Sequence, residues 1–274
     1  MGLFSGIKAQ RALIAQNKGN TQEAMRLYEE AVAEGVTSPR YILSYALLLI
    51  RDWQFEKAKD LLVKNQKAPG MTPEQRLNLI VDYAVCCYRL GNLDKAISKL
   101  EEMYRKNPAG LIYQTLGYLY VVKYDQANKP DFSVPVENAA EKQRDEDELD
   151  GEKRASLRTV SPEEAWKEGI ERAQRLIRVS LEYDDEDPVL LDNAGQFYYR
   201  VTGDKETAEK WFKKALEQKD NQIDTLWFLS RYDLDRNDKA AALEKLEKAA
   251  GGNFSPLNYI TKQEVENEIA RLKA

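Results

Sequence analysis

The stretch Gly19-Asn20-Thr21-Gln22-Glu23-Ala24-Met25-Arg26-Leu27-Tyr28 ends one helix and begins another, and its pattern returns along the chain. Glycine or asparagine before a helix can take the left-handed conformation that terminates the preceding one. The same punctuation recurs as Gly91-Asn92, Gly203-Asp204 and Asn237-Asp238, with Trp53-Gln54 as a departure. Following the alanine forward gives Ala24, Ala58, Ala96, Ala173, Ala208 and Ala242, at steps of 34, 38, 77, 35 and 34 residues. Four positions after each stands a large apolar residue: Tyr28, Leu62, Leu100, Ile177, Phe212 and Leu246. A further turn on, three units add Ala31, Ala215 and Ala249. Spacings of four and seven put these residues on one helical face. Small residues there let two helices approach closely.

A partner helix precedes each of these and carries its own small residue: Ala12, Ala46, Ala84, Gly117, Gly195 and Ser230. In the fourth unit this reads Tyr113-x-x-Leu116-Gly117-x-x-Tyr120, and Pro108 closes the unit before it. A period near 34 residues with this pattern resembles the tetratricopeptide-repeat family. The resemblance covers nearly the whole chain, in about six units. It implies an all-α, right-handed superhelical solenoid of antiparallel helix pairs, whose first helices line a concave groove. Some positions depart from the pattern. Asn65 and Met103 stand where a small residue is common, and the fifth unit carries one extra residue before Gly203.

The step of 77 residues marks an insertion. Residues 1–125 hold units one to three and the first helix of unit four. Residues 126–160, with Pro130, Pro135 and the charged run from Glu141 to Arg154, read as an inserted and flexible segment. Residues 161–250 resume with the second helix of unit four and continue through units five and six. Ser161-Pro162-Glu163-Glu164 has the hydroxyl, proline and glutamate of a helix start, so this helix begins earlier than its siblings. Its added turns carry Trp166 and Ile170, which require cover from the end of the preceding helix or from Phe132, Val134 and Val136. After Gly251-Gly252, residues 251–274 form a capping helix with Val265, Ile269 and Leu272 on one side.

Composition narrows the function. The chain has no histidine, which removes the usual nucleophilic triads and imidazole metal ligands. No glycine-rich phosphate cradle is present, and the two cysteines are the adjacent Cys86 and Cys87, read as reduced packing residues. The expectation is therefore no enzyme, no cofactor, no catalytic residue and no metal. A net charge of −5 without a basic stripe argues against nucleic acid. No apolar run approaches membrane-spanning length. The opening Met1-Gly2-Leu3-Phe4-Ser5-Gly6 lacks the charged and apolar regions of a leader, so a cytoplasmic location is expected.

The resemblance places the inner groove at set positions of each unit. Carried onto this chain they are Leu43, Leu47 and Ile50, then Val81, Val85 and Tyr88. Units four to six supply Leu111, Gln114, Tyr118 and Val121, then Asn193 and Phe197, then Trp227 and Arg231. This lining is mostly apolar, which suits a groove covered by a polypeptide. One subclass of the family grips chaperone-tail carboxylates with Lys, Asn and Arg. Here those positions hold Ala9, Leu13, Ser44, Asn78 and Asp82, so that clamp is expected to be absent. The leading expectation is a scaffold or adaptor that binds a protein or peptide. The alternative is a self-associating structural repeat, a homo-oligomer; a nucleic-acid-binding helical repeat has less support.

Overall fold

The computed structural model describes residues 3–132 and 161–274, and among them every regular element is helical. Six helix pairs follow one another: α1 (Leu3–Asn17) with α2 (Thr21–Ala33), α3 (Pro39–Arg51) with α4 (Phe55–Asn65), and α5 (Pro73–Arg89) with α6 (Leu93–Lys106). Next come α7 (Gly110–Tyr124) with α8 (Pro162–Tyr183), α9 (Pro188–Gln196) with α10 (Lys205–Gln218), and α11 (Ile223–Asp235) with α12 (Lys239–Ala250). The last helix is α13 (Lys262–Lys273). Each pair packs on the next, so the array is an all-α solenoid.

The phased small residues do what their spacing predicts. Ala24, Ala58, Ala96, Ala173, Ala208 and Ala242 have no exposed surface, and neither do Ala12, Ala46, Ala84 and Ser230. Their large partners are buried beside them: Tyr28, Leu62, Leu100, Phe212 and Leu246 completely, Ile177 nearly so. Burying a large apolar side chain contributes about 1.5–3 kcal/mol, so six such layers make the repeat the main source of stability. One such close approach is in unit five. A Cβ built on Gly195 would stand 2.5 Å from the Phe212 ring, so only glycine lets α10 seat against α9.

The turn between paired helices needs a left-handed residue, and unit two meets the need without glycine. Trp53 stands at φ 60°, as Asn237 does at 62° in unit six. For a bulky residue this conformation costs about 1–2 kcal/mol. The offset comes from its neighbours: the Arg89 guanidinium lies 4.5 Å from the Trp53 ring centre, and the Phe55 ring meets it edge-on at 5.6 Å.

Helix α8 is 22 residues long, against 14 or fewer in the other second helices. Its start is fixed by a capping box, the Ser161 side chain accepting from the Glu164 backbone N–H while Glu164 accepts in return. The added turns are covered by the end of α7. Tyr124 meets Trp166 edge-on at 5.2 Å, and Phe132 lies 6.4 Å from it. Val134 and Val136 lie outside the described residues.

The extra residue of unit five has a structural counterpart. α9 widens into a π-helical segment over Phe197–Thr202, which absorbs an added residue without breaking the helix. Beyond α12, residues 251–261 form a non-helical strap leading to α13, whose Val265 and Leu272 close the last pair. Cys86 and Cys87 are buried free thiols within α5, and burial pushes the Cys86 thiol up to about 12. No helix among the described residues is long and apolar enough to cross a membrane.

Candidate partner-binding surface

The first helices of successive pairs lie side by side, with α3 against α5, α5 against α7, α7 against α9 and α9 against α11. This inner face is tighter than the apolar trough expected from the sequence. Of the residues assigned to it, Leu43, Leu47, Tyr88, Gln114, Trp227 and Arg231 are half-buried. Ile50, Val81, Val85 and Tyr118 are only 4–5% exposed, and Val121 and Phe197 have no exposed surface at all. The last two belong to the core and offer nothing to a partner. The physical reason is that neighbouring first helices touch, so one flank of each is consumed in packing.

Unit five also needs a shift of register. Gly117 and Gly195 occupy the same place in their pairs, so the equivalents of Gln114 and Tyr118 are Asp192 and Gln196. Phe197, one residue on, points into the core. Asn193 joins the helices, donating from its side chain to the Gln114 carbonyl at 2.8 Å. Gln114 in turn donates to Asp187 at 2.6 Å. The Tyr88 and Tyr118 hydroxyls lie 3.5 Å apart, with their rings edge-on at 6.1 Å.

Asp192 anchors a buried polar chain that runs along the inner side. It accepts from the Thr225 hydroxyl at 2.5 Å and from the Gln196 amide at 2.7 Å. Gln196 accepts from Arg200 Nη1 at 2.7 Å, and Arg200 Nε donates to Asp125 at 2.7 Å. The π-helical turn is what brings Arg200 to Asp125.

The strap is seated on this chain. The backbone N–H groups of Tyr259 and Ile260 donate to the Asp224 carboxylate at 2.9 and 3.4 Å, and the Asn258 side chain adds a further bond. The Tyr259 ring stacks on Phe228 at 5.1 Å and covers the Arg200 guanidinium at 4.2 Å. Ile260 is buried with Ile223, Leu226 and Ala242. Burial pushes both the Asp192 and Asp224 carboxyls above the ordinary carboxylate range, and the charge of Asp192 adds to the cost of ionising Asp224.

Helix α13 reaches the sixth unit as well. Arg231 lies 4.0 Å over the Trp227 ring and donates to Glu268 of α13 at 2.6 Å. These two expected groove residues are therefore engaged with each other and with the chain's own end.

A cleft of about 470 Å³ lies between α7, α9, α11 and the strap, which contributes Asn253, Ser255, Leu257 and Asn258 to its wall. Gln114, Tyr118, Asp192 and Gln196 form part of its wall, and Leu111 and Val189 stand on it, each 36% exposed. Towards α3, Leu43 and Leu47 continue the inner face. Asp82 of α5 stands near Arg51, and burial pushes its carboxyl up to about 7 against the pull of that charge. Asp192, Gln196, Asp224 and Tyr259 are the inner-face residues that the sequence reading missed. For the first two, the matching phase of Gly117 and Gly195 is the signal that finds them.

A family model described as anaphase-promoting complex, cyclosome, subunit 3 matches residues 17–103. A thermophilic tetratricopeptide-repeat protein of Thermus thermophilus is similar in structure, with a TM-score of 0.60 at 16% identity, over 86% of this chain and 99% of that one. PilW, a widely conserved type IV pilus biogenesis factor, gives 0.58 at 14% identity, over 97% of this chain and 100% of that one. The Cut9–Hcn1 hetero-tetramer of the anaphase-promoting complex gives 0.58 at 15% identity, over 96% of this chain and 42% of the matched chain. No curated protein matches the sequence. At these identities the likeness to the solved structures is one of fold.

Proposed function

We propose that this chain, a tetratricopeptide-repeat protein, is a scaffold that holds another polypeptide along its inner face, with no catalytic step. The observation that carries this reading is the strap. A non-helical stretch of polypeptide already lies against the first helices there, held by two backbone N–H bonds to Asp224 and by the Tyr259 ring on Arg200 and Phe228. Main-chain hydrogen bonds with one anchored side chain are the usual means of gripping an extended segment.

The strap and α13 occupy the end of the face formed by α9 and α11. A partner would use what remains: the half-buried Leu43 and Leu47 of α3, Tyr88 of α5, and the cleft bearing Leu111 and Val189. Apolar residues at the two ends of that path with amide and tyrosine groups between them suit a peptide whose apolar side chains alternate with polar backbone contacts. Arginine or lysine clamps for a terminal carboxylate are missing from the corresponding positions, where Ala9, Leu13, Ser44, Asn78 and Asp82 stand. A partner gripped through internal side chains fits better than one gripped by its C-terminus.

Selection of displayed random peptides on the whole chain tests this. Peptides so obtained should lose binding when Leu47 and Leu111 are both replaced by Asp, with helicity unchanged by circular dichroism. Selected peptides that bind the double variant as tightly as the parent would remove the inner face from the account.

A further inference from the structure

Two furrows flank α8 on the outer, second-helix side, and the same two arginines stand over both. One, of about 520 Å³, lies between α6 and α8, with Leu116 and Leu176 in its floor. The other, of about 570 Å³, lies between α8 and α10, where Leu181 and Trp211 contribute the apolar wall. Arg175 and Arg178 line each of them.

The charge here is opposite in sign to the chain's overall −5. The first furrow holds Arg105, Arg172, Arg175 and Arg178 against a single carboxylate, Glu101. Glu101 is already shared, by Arg172 at 3.3 Å, by Arg105 at 3.9 Å and by the Tyr120 hydroxyl. One carboxylate cannot satisfy two guanidinium groups, each with five N–H donors. Arg178 has only a 3.8 Å contact with Glu182, both side chains being about 70% exposed, which is a weak pairing. Arg175 forms no ion pair among the described residues. Exposed guanidinium groups with spare donors, above apolar floors, fit carboxylates attached to apolar side chains.

We propose that this outer face docks an acidic polypeptide segment, whose carboxylates are taken by Arg175 and Arg178 while its apolar side chains enter the two furrows. Nucleic acid fits less well. Glu182 and Asp185 stand in the wall of the second furrow and would repel a continuous polyphosphate. The site is separate from the inner face, so the two readings stand or fall independently.

The test is fluorescence anisotropy on the whole chain, with a labelled synthetic peptide of alternating glutamate and leucine ended by phenylalanine. Binding should be saturable, weaken as salt is raised, and drop at least about tenfold in Arg175→Glu with Arg178→Glu. It should be unchanged in Leu47→Asp. Arg175→Lys with Arg178→Lys keeps the charge but loses the planar fork, and should fall between the two. Labelled poly-uridine should bind at least roughly tenfold more weakly than the peptide. No peptide binding, equal binding by the charge-reversed variant, or poly-uridine binding as tight as the peptide's would each overturn the proposal.

Discussion

The Arg200 guanidinium lies 4.2 Å below the Tyr259 ring, and this contact ties the C-terminal strap to the inner face of α9. Arg200 is itself held by Asp125, with side-chain exposures of 7% and 15%. The tyrosine thus rests on an ion pair whose charges are already satisfied. Tyr259→Ala should lower stability by about 1–3 kcal/mol, through the lost stacking on Phe228 and the lost cation–π contact. Amide exchange at residues 253–260 should quicken while exchange in α3 and α5 stays as it was. Arg200→Ala should cost more, about 3–5 kcal/mol, because it removes the partner of the Asp125 side chain. Urea denaturation reads both.

A second expectation concerns pH. Asp82, Asp192 and Asp224 have their carboxyl pKa values raised by burial, above their values in the unfolded chain. The folded state then binds protons that the unfolded state has released, so stability falls as pH rises. The window runs from the ordinary carboxylate range up through the raised values, and above it the loss is complete. Stability should therefore drop by about 1–3 kcal/mol between pH 5 and pH 8. Asp224→Asn, which removes one of the facing charges, should flatten that slope. A slope of the opposite sign would mean that the hydrogen bonds to these carboxylates outweigh their desolvation.

Two glycines within helices should respond in opposite directions to alanine. Gly195→Ala puts a Cβ 2.5 Å from the Phe212 ring, an overpacking that costs about 1–3 kcal/mol despite alanine's better helix propensity. Gly6, in α1, has nothing within 4 Å of the same atom. Gly6→Ala should gain up to about 1 kcal/mol from propensity alone. Thermal unfolding of the two variants checks the pair. Equal shifts would mean that the seat of α10 on α9 is looser than described.

How much of this was legible in the sequence follows from the physics of each part. The helix pairs were readable because close packing demands small residues at fixed intervals, and Ala24, Ala58, Ala96, Ala173, Ala208 and Ala242 supply them. The early start of α8 was readable from Ser161, Pro162 and Glu164, since capping is a local matter. The lining of unit five was not read correctly, because the π-helical turn adds a residue and shifts Phe197 into the core. The strap was invisible for a different reason. Tyr259 and Ile260 belong to no period, and only the folded array brings them to Asp224. The arginines around α8 likewise look like an ordinary solvated face until α6 and α10 are placed beside them.

The cover over the added turns of α8 gives a further test. Trp166 packs on Tyr124 and Phe132. Trp166→Ala should destabilise the chain by about 2–4 kcal/mol, with exchange quickening first in residues 162–170. No change in stability would detach those turns from the core.

Site-specific photo-crosslinking of a selected peptide tests most directly whether the inner face is where a partner lies. With the photoreactive side chain at Leu47 or Leu111, on α3 and α7, the peptide should be captured in high yield. At Lys57, exposed on the outer helix α4, it should not. Equal capture at Lys57, or none at Leu47 and Leu111, would contradict the assignment of the inner face.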